Sequence, residues 1–292
     1  MRNTFGSQVL FRSAPIMAAQ DWDSVPMVFL FFAAGISTIF FVTSLLALHY
    51  GRALGLRYRK HEVGSDSMAG LGTVEGAIFG IMGLLLAFTI SGALQRFDDR
   101  RQLVLQEAAA AATAFDRLGL FEGETGRDLR NKLKEYVRAR VELYRMQHDF
   151  LLWHRMEDFS REQQTQLVNH KGHLWDAALA ACPKSAYQPA CGVTLPALNT
   201  LFEVSRNRAG AAEKHPPQIV HVMLFGLGLG CSLLAGFGMS ASRARSWLHM
   251  LLFAGTLTVA LYIVIDMEYP RLGLIRIETF DHFLADALDQ MQ

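Results

Sequence analysis

The sequence lacks the motifs that mark the common enzyme classes. It contains no glycine-rich phosphate loop, no nucleophile elbow, no zinc-protease histidine pair and no run of carboxylates suited to metal-assisted hydrolysis. Its 28 basic and 27 acidic residues leave a net charge of +1, so the charge balance indicates no nucleic-acid partner. We therefore expect a protein that is not an enzyme, has no catalytic residues and needs no cofactor.

A metal site is not predicted either. Four histidines come nearest to a ligand set: His148, His154, His170 and His173. The last two could share a helix face, but Gly172 lies between them and no acidic ligand is fixed by spacing. Imidazole titrates near neutral pH, yet nothing in the sequence selects pH sensing over an ordinary polar helix face.

Four apolar runs dominate the chain, and each is about long enough to cross a bilayer. They are Met27–Leu48, Leu71–Leu94, Ile219–Ser240 and Leu248–Ile265. Because they show no period-two alternation, they fit helices rather than barrel strands. The sequence predicts an all-α membrane protein with four transmembrane helices in two pairs, in contact with the lipid bilayer.

The segment between the two pairs is polar and helical in pattern. Its apolar residues recur every three or four positions, and no strand pattern is convincing. Residues 94–118 contain neither Gly nor Pro, so the second helix should project well beyond the membrane. The predicted organisation is an N-terminal segment (1–24), transmembrane helices 1 and 2 (25–94), an inserted helical extramembrane domain (95–217), transmembrane helices 3 and 4 (218–266) and a C-terminal amphipathic tail (267–292).

Basic residues near the ends of the spans predict the orientation. The short links carry Arg52, Arg57, Arg59, Lys60, Arg243 and Arg245. The positive-inside rule makes both links cytoplasmic, which places the central domain and both termini outside a bacterial inner membrane. Arg96, Arg100 and Arg101 beside the second span weaken this asymmetry.

Two of the three cysteines, Cys182 and Cys191, enclose a short loop containing Pro183 and Pro189. A disulfide could close this loop, and it would require the oxidising compartment that the orientation predicts. The alternatives are two unpaired thiols or half of a metal site. Cys231 lies within the third span and is expected to be a small packing residue.

Glycines recur every three or four residues in the second and third spans. They are Gly72, Gly76, Gly80 and Gly83 in the second span, and Gly226 and Gly230 in the third. Such spacing lets another helix approach closely, either within the subunit, between subunits or both.

Glu75 lies beside the glycine stripe and is the first functional candidate, because a carboxylate within a membrane must be hydrated, paired or protonated. It could attract cations or gate a pore by titration, or it could pair with Arg52 or Arg57, or cap the helix start. Candidate apolar constrictions are Ile78, Ile81, Leu85 and Phe88. Candidate pore-mouth charges are Arg96, Asp98, Asp99 and Arg100, although their spacing also suits salt-bridged helix faces.

Several motifs resemble the bacterial bestrophin-like family of domains of unknown function. They are TVEGAIFGIMGLLLAF from Thr73, FDDR from Phe97, QEAA from Gln106, Arg117-Leu118 and DMEYPRLGLIRI from Asp266. The resemblance covers essentially the whole chain in order. It implies a distant relation to bestrophins, which are oligomeric anion channels whose pore is lined by one helix from each subunit and narrowed by apolar rings.

The resemblance therefore implies a homo-oligomeric channel for small inorganic ions, with transmembrane helix 2 lining the pore. Anion selectivity would follow by family analogy, whereas Glu75 would allow cations. No acidic calcium clasp is recognisable, so calcium gating is not carried over. The alternative is a non-conducting receptor or scaffold with an extracytoplasmic helical binding domain. A proton-coupled transporter is a third reading with little support, since one acidic residue stands without an inverted repeat.

Overall fold

The computed structural model describes residues 27–61, 71–146, 153–183, 188–241, 247–268 and 278–291. These residues form helices and no strands, which confirms the all-α prediction for this part of the chain. The helices are α1 (Met27–His61), α2 (Leu71–Leu118), α3 (Gly123–Met146), α4 (Trp153–Ala181), α5 (Gln188–Glu213), α6 (Gln218–Gly238), α7 (Trp247–Glu268) and α8 (Glu278–Gln290), with a 3₁₀ turn at Met239–Ala241.

Four helices are long and apolar enough to cross a membrane, as predicted: α1, α2, α6 and α7. Two of them continue past their apolar runs. The C-terminal part of α1 contains Arg52, Arg57, Arg59 and Lys60, so these basic residues extend the helix rather than form a loop. The 48 residues of α2 give a helix about 72 Å long, roughly twice the thickness of the hydrocarbon core.

Close packing of the membrane helices centres on α1 and α6. A Cβ atom at Gly51 of α1 would lie 2.0 Å from the carbonyl oxygen of Leu233, and one at Gly236 of α6 would lie 2.0 Å from that of Leu48. Only glycine permits these two backbones to approach so closely. Close packing at Gly51 was not predicted from the sequence.

The glycines whose regular spacing predicted close packing make no such contact with the described residues. A Cβ atom would meet nothing within 4 Å at Gly72, Gly76, Gly80, Gly83, Gly226 or Gly230. Contacts with the described residues therefore do not explain the spacing of these glycines. Packing between subunits stays a prediction.

The extramembrane part of α2 forms a hydrophobic core with α3, α4, α5 and α8. Ala108, Ala111 and Ala114 are buried on α2, and their small side chains allow α5 to pack close to it. Leu284 and Met291 bring the C-terminal segment into the same core. The described part of the predicted amphipathic tail, α8, therefore packs against the extramembrane domain.

A disulfide joins Cys182, directly after α4, to Cys191 in the first turn of α5, with 5.8 Å between the Cα atoms. It closes the loop that the sequence indicated, although residues 184–187 lie outside the described part of the chain. Cys231 is a free, buried thiol within α6, as expected for a packing residue.

Candidate functional site

One face of α2 packs against the rest of the chain, and the opposite face is open along the whole helix. In the membrane part, Met82 and Ala93 are buried on the packed face. Ile81, Leu84 and Phe88 lie toward the open face, with 54%, 56% and 66% of their surface exposed. Large apolar side chains with this exposure on a membrane helix must contact lipid or a second protein surface.

The structure divides the four predicted constriction residues into two pairs. Ile81 and Phe88 are exposed, whereas Ile78 and Leu85 are half-buried. Leu85 packs against the cluster formed by Phe40, Leu224 and Leu261. Leu84, which the sequence analysis passed over, is exposed instead. Its spacing of four residues from both Gly80 and Phe88 was the signal that could have identified it.

Glu75 is half-buried and faces α6 rather than the open face of α2. A Cβ atom placed on Gly238 would lie 3.2 Å from Oε2 of Glu75, so the carboxylate lies against the C-terminal end of α6. The first turn of α2 contains no acidic residue, so Glu75 does not cap the helix start. Within the described residues, no ion pair joins Glu75 to Arg52 or Arg57.

Arg96 and Arg100, predicted at a pore mouth, connect α2 to α5 and α7 at the membrane boundary. The Arg96 guanidinium pairs with the buried carboxylate of Glu268, with 3.0 Å between Nε and Oε1. Arg100 donates to the carbonyl oxygens of Ala211, Lys214 and Glu268 at 2.9, 2.8 and 3.2 Å. Both arginines therefore stabilise the junction between the membrane helices and the extramembrane domain.

His215 lies in the same junction, with Nδ1 3.8 Å from Oε2 of Glu268. Partial burial lowers the pKa of His215, and Arg100 lowers it further, while Glu268 opposes the shift. The pKa lies below the ordinary histidine value, which favours a neutral imidazole at pH 7.

Asp98 and Asp99 are both exposed, unlike Arg96 and Arg100. They lie just beyond the apolar part of α2, where a pore lined by this helix would open. Their place in an ionic ring stays a prediction.

A buried ionic network, absent from the sequence-based candidates, lies further along α2. Glu107 is 1% exposed and accepts hydrogen bonds from Arg140 Nε and Arg208 Nη1, both at 2.7 Å, and from Ser205 Oγ at 2.8 Å. Tyr144 contacts both Arg140 and Glu107. The network joins α2, α3 and α5. A single glutamate within the alanine run was the only sequence signal for it.

The structure describes the side chains of only two of the four candidate histidines, His170 and His173. Among the described residues, no group of three or more His, Cys, Asp or Glu side chains is arranged to hold a metal ion. His170 lies in α4, with Nδ1 3.6 Å from a Glu135 carboxylate oxygen in α3. The side chains of His148 and His154 lie outside the described residues.

Comparison with known proteins identifies the family. The model of the bestrophin-like domain matches residues 39–280, which include most of α1 and the whole of α2 to α7. The chain belongs to the bestrophin-like family. No curated protein matches it.

Two mutant crystal structures of a bacterial bestrophin homolog from Klebsiella pneumoniae share the fold of this bestrophin-like protein. One aligns with a TM-score of 0.60 at 13% identity, covering 86% of this chain and 98% of the homolog. The other aligns with a TM-score of 0.59 at 14% identity, covering 87% and 99%. Both alignments therefore cover most of this chain and nearly all of the homolog.

Proposed function

We propose that this bestrophin-like protein is a homo-oligomeric ion channel of the bacterial inner membrane, with α2 from each subunit lining the pore. The observation that carries the proposal is the open face of α2. Exposed apolar side chains, and glycines at which an added Cβ atom would meet no described residue, lie along the part of α2 that does not pack into the subunit. A ring of copies around a common axis would give this face both neighbours and a water-filled path.

Family membership supports the same function, because bestrophins are ion channels. Within the proposed pore, Ile81, Leu84 and Phe88 form the apolar constriction, since they are the large exposed side chains near the middle of the α2 span. Asp98 and Asp99 lie at the mouth on the extramembrane side. Glu75 acts from the opposite end, where its contact with α6 connects the pore helix to its support.

Two arguments about the ion selectivity of the proposed channel lead to opposite predictions. The family analogy favours anions, whereas exposed carboxylates at Asp98 and Asp99 would concentrate cations at the mouth. Flux through purified protein in liposomes, driven separately by chloride and by potassium gradients, decides between them. Asp98→Asn with Asp99→Asn should lower potassium flux if the carboxylates concentrate cations.

The pore-lining assignment has a matched pair of variants. Phe88→Ala on α2 should raise the flux, because it widens the constriction. Val259→Ala on α7 removes a side chain of similar exposure, 58%, from a helix outside the proposed pore, and should leave the flux unchanged. If both variants and the unaltered protein give equal flux, the assignment of α2 as the pore-lining helix is wrong.

Glu75→Gln tests the carboxylate alone, since glutamine keeps the size of the side chain. An influence of Glu75 on permeation requires altered conductance or pH dependence in this variant. Wild-type behaviour on both counts would leave Glu75 a structural residue. Absence of flux in every protein, across pH and voltage, would favour the receptor or scaffold.

The proposed orientation places the short links in the cytoplasm and the extramembrane domain outside. The disulfide between Cys182 and Cys191 supports this orientation, because structural disulfides persist in oxidising compartments. Single cysteines at positions 57 and 127, in an otherwise cysteine-free protein, can be labelled in intact cells with a membrane-impermeant reagent. Labelling at 127 alone is expected, and labelling at 57 alone would reverse the orientation.

A further inference from the structure

A histidine and an arginine approach the same buried carboxylate where the membrane helices meet the extramembrane domain. The Nε atom of Arg96 lies 3.0 Å from Oε1 and 3.3 Å from Oε2 of Glu268. His215, in the short link between α5 and α6, places Nδ1 3.8 Å from the same Oε2. This distance lies beyond an ordinary hydrogen bond. Glu268 is buried, whereas both basic side chains are partly exposed, so the carboxylate is fixed and the two basic groups have room to move.

The charged groups around His215 come from α2, from α7 and from the end of α5 with the link that follows it. They are Arg96 and Arg100 on α2, Asp266 and Glu268 on α7, and Glu213 and Lys214 directly before His215. Arg100 donates to the carbonyl oxygens of Lys214 and Glu268, and Asp266 accepts a hydrogen bond from Tyr262 on its own helix. Glu213 and Lys214 are exposed and opposite in sign. The carboxylate that the imidazole approaches is therefore already paired with Arg96.

These surroundings favour a neutral imidazole at neutral pH. Partial burial lowers the pKa of His215, Arg100 and Arg96 lower it further, and Glu268 opposes them. A proton added in acid converts the imidazole into a cation whose two ring nitrogens both donate. A charged hydrogen bond to a carboxylate is stronger than a neutral one, so the protonated ring gains most by moving onto Oε2 of Glu268. Two cations then compete for one buried carboxylate.

We propose that His215 is a regulatory proton-binding site, where the protonated imidazole takes Oε2 of Glu268 from Arg96 and loosens the attachment of α2 to α7. Pro216 and Pro217 follow directly and restrict the backbone of the link, so the movement falls to the imidazole and to the Arg96 side chain. The proton site does not depend on ion conduction. Its effect on a pore rests on the proposed function, because Arg96 lies on the proposed pore helix.

The melting temperature of the full-length protein in detergent tests the proton site without ion flux. A range from about pH 7.5 to about pH 5 spans the ordinary histidine pKa and stays above the ordinary carboxyl values. Because the pKa of His215 is lowered in the folded protein, its neutral form stabilises the fold above the ordinary histidine pKa, and this stabilisation is lost as the pH falls through the lowered value.

Two histidine variants separate this site from general acid effects. His215→Gln should lose part of the acid-induced fall in melting temperature, because glutamine does not titrate. His282→Gln removes an exposed histidine from α8 and should keep the whole fall. Equal falls in the unaltered protein and in His215→Gln would overturn the proposal, and so would an equal effect of the two substitutions.

Ion flux through liposomes at the same pH values tests the effect on the proposed pore. His215→Lys carries a permanent positive charge, and Arg96→Gln lacks the guanidinium that is displaced. Both variants should show at neutral pH the flux that the unaltered protein shows in acid, whereas His215→Gln should keep its neutral flux throughout. The same pH dependence of flux in the unaltered protein and in His215→Gln would overturn the regulatory effect. Absence of flux in every protein would count against the proposed function, while the melting temperatures would still test the proton site.

Discussion

Replacing Glu107 with alanine should strongly destabilise the extramembrane domain. Its carboxylate is buried and is the counter-charge for both Arg140 and Arg208. Removing one partner from a buried ion pair costs about 3–5 kcal/mol, because the remaining charge stays buried without compensation. At about 2–4 °C per kcal/mol for a protein of this size, the melting temperature should fall by about 6–20 °C.

Circular dichroism of the purified protein in detergent measures this change. Glu203→Ala is the matched control, since Glu203 is an exposed glutamate on α5 and its removal should change stability by no more than about 0.5 kcal/mol. If Glu107→Ala melts at the same temperature as Glu203→Ala, the reasoning is refuted. The network would then contribute specificity of packing without net stability.

The same network predicts how stability depends on pH. Burial raises the pKa of Glu107, but the guanidinium groups of Arg140 and Arg208 lower it by more, so the pKa in the folded protein lies below the ordinary value. The stabilisation is therefore complete above the ordinary glutamate pKa and is lost as the pH falls through the lowered one. The difference in melting temperature between the unaltered protein and Glu107→Gln should be constant near neutral pH and should narrow in acid.

Two further experiments test the packing and the disulfide. Gly236→Ala should greatly reduce the yield of folded protein, because its Cβ atom would overlap the backbone of Leu48. Gly226→Ala on the same helix is the control and should fold normally, since its Cβ atom would meet no described atom. Equal yields of the two variants would contradict the α1–α6 contact. Replacing Cys182 and Cys191 with serine should destabilise the protein by about 2.5 kcal/mol, the loop entropy expected for a separation of nine residues. Reductant should lower the melting temperature of the unaltered protein and not that of the serine variant.

The membrane helices were predictable because the bilayer sets their length and composition. A run such as Leu71–Leu94 needs no tertiary information to be recognised, and the absence of Gly and Pro after it was enough to extend α2 beyond the membrane. The disulfide was predictable for a similar local reason, since a loop of nine residues keeps Cys182 and Cys191 close in any compact arrangement.

The sequence did not allow a similar prediction of which face of each helix packs against the rest of the protein. Gly51 and Gly236 contact a neighbouring backbone, whereas an added Cβ atom at the more regularly spaced glycines of α2, from Gly72 to Gly83, would meet none of the described residues. Spacing shows that a close approach is possible but not which helix approaches. The partners of Glu107 are likewise 33 and 101 residues away, and only the folded chain brings them together.

The length of α2 determines how the extramembrane domain can influence the proposed pore. The helix is unbroken from Leu71 to Leu118, so its membrane part and its extramembrane part must tilt or rotate together. Arg96 and Arg100 fix the middle of this helix to α5 and α7, and Glu107 fixes its outer part to α3 and α5. Any movement of Phe88 that widens the constriction must therefore strain one of these buried contacts or be shared by the helices that form them. If α2 lines the pore as proposed, opening the pore would require a small shift of the whole bundle, and the buried ion pairs would contribute to the free energy of that shift.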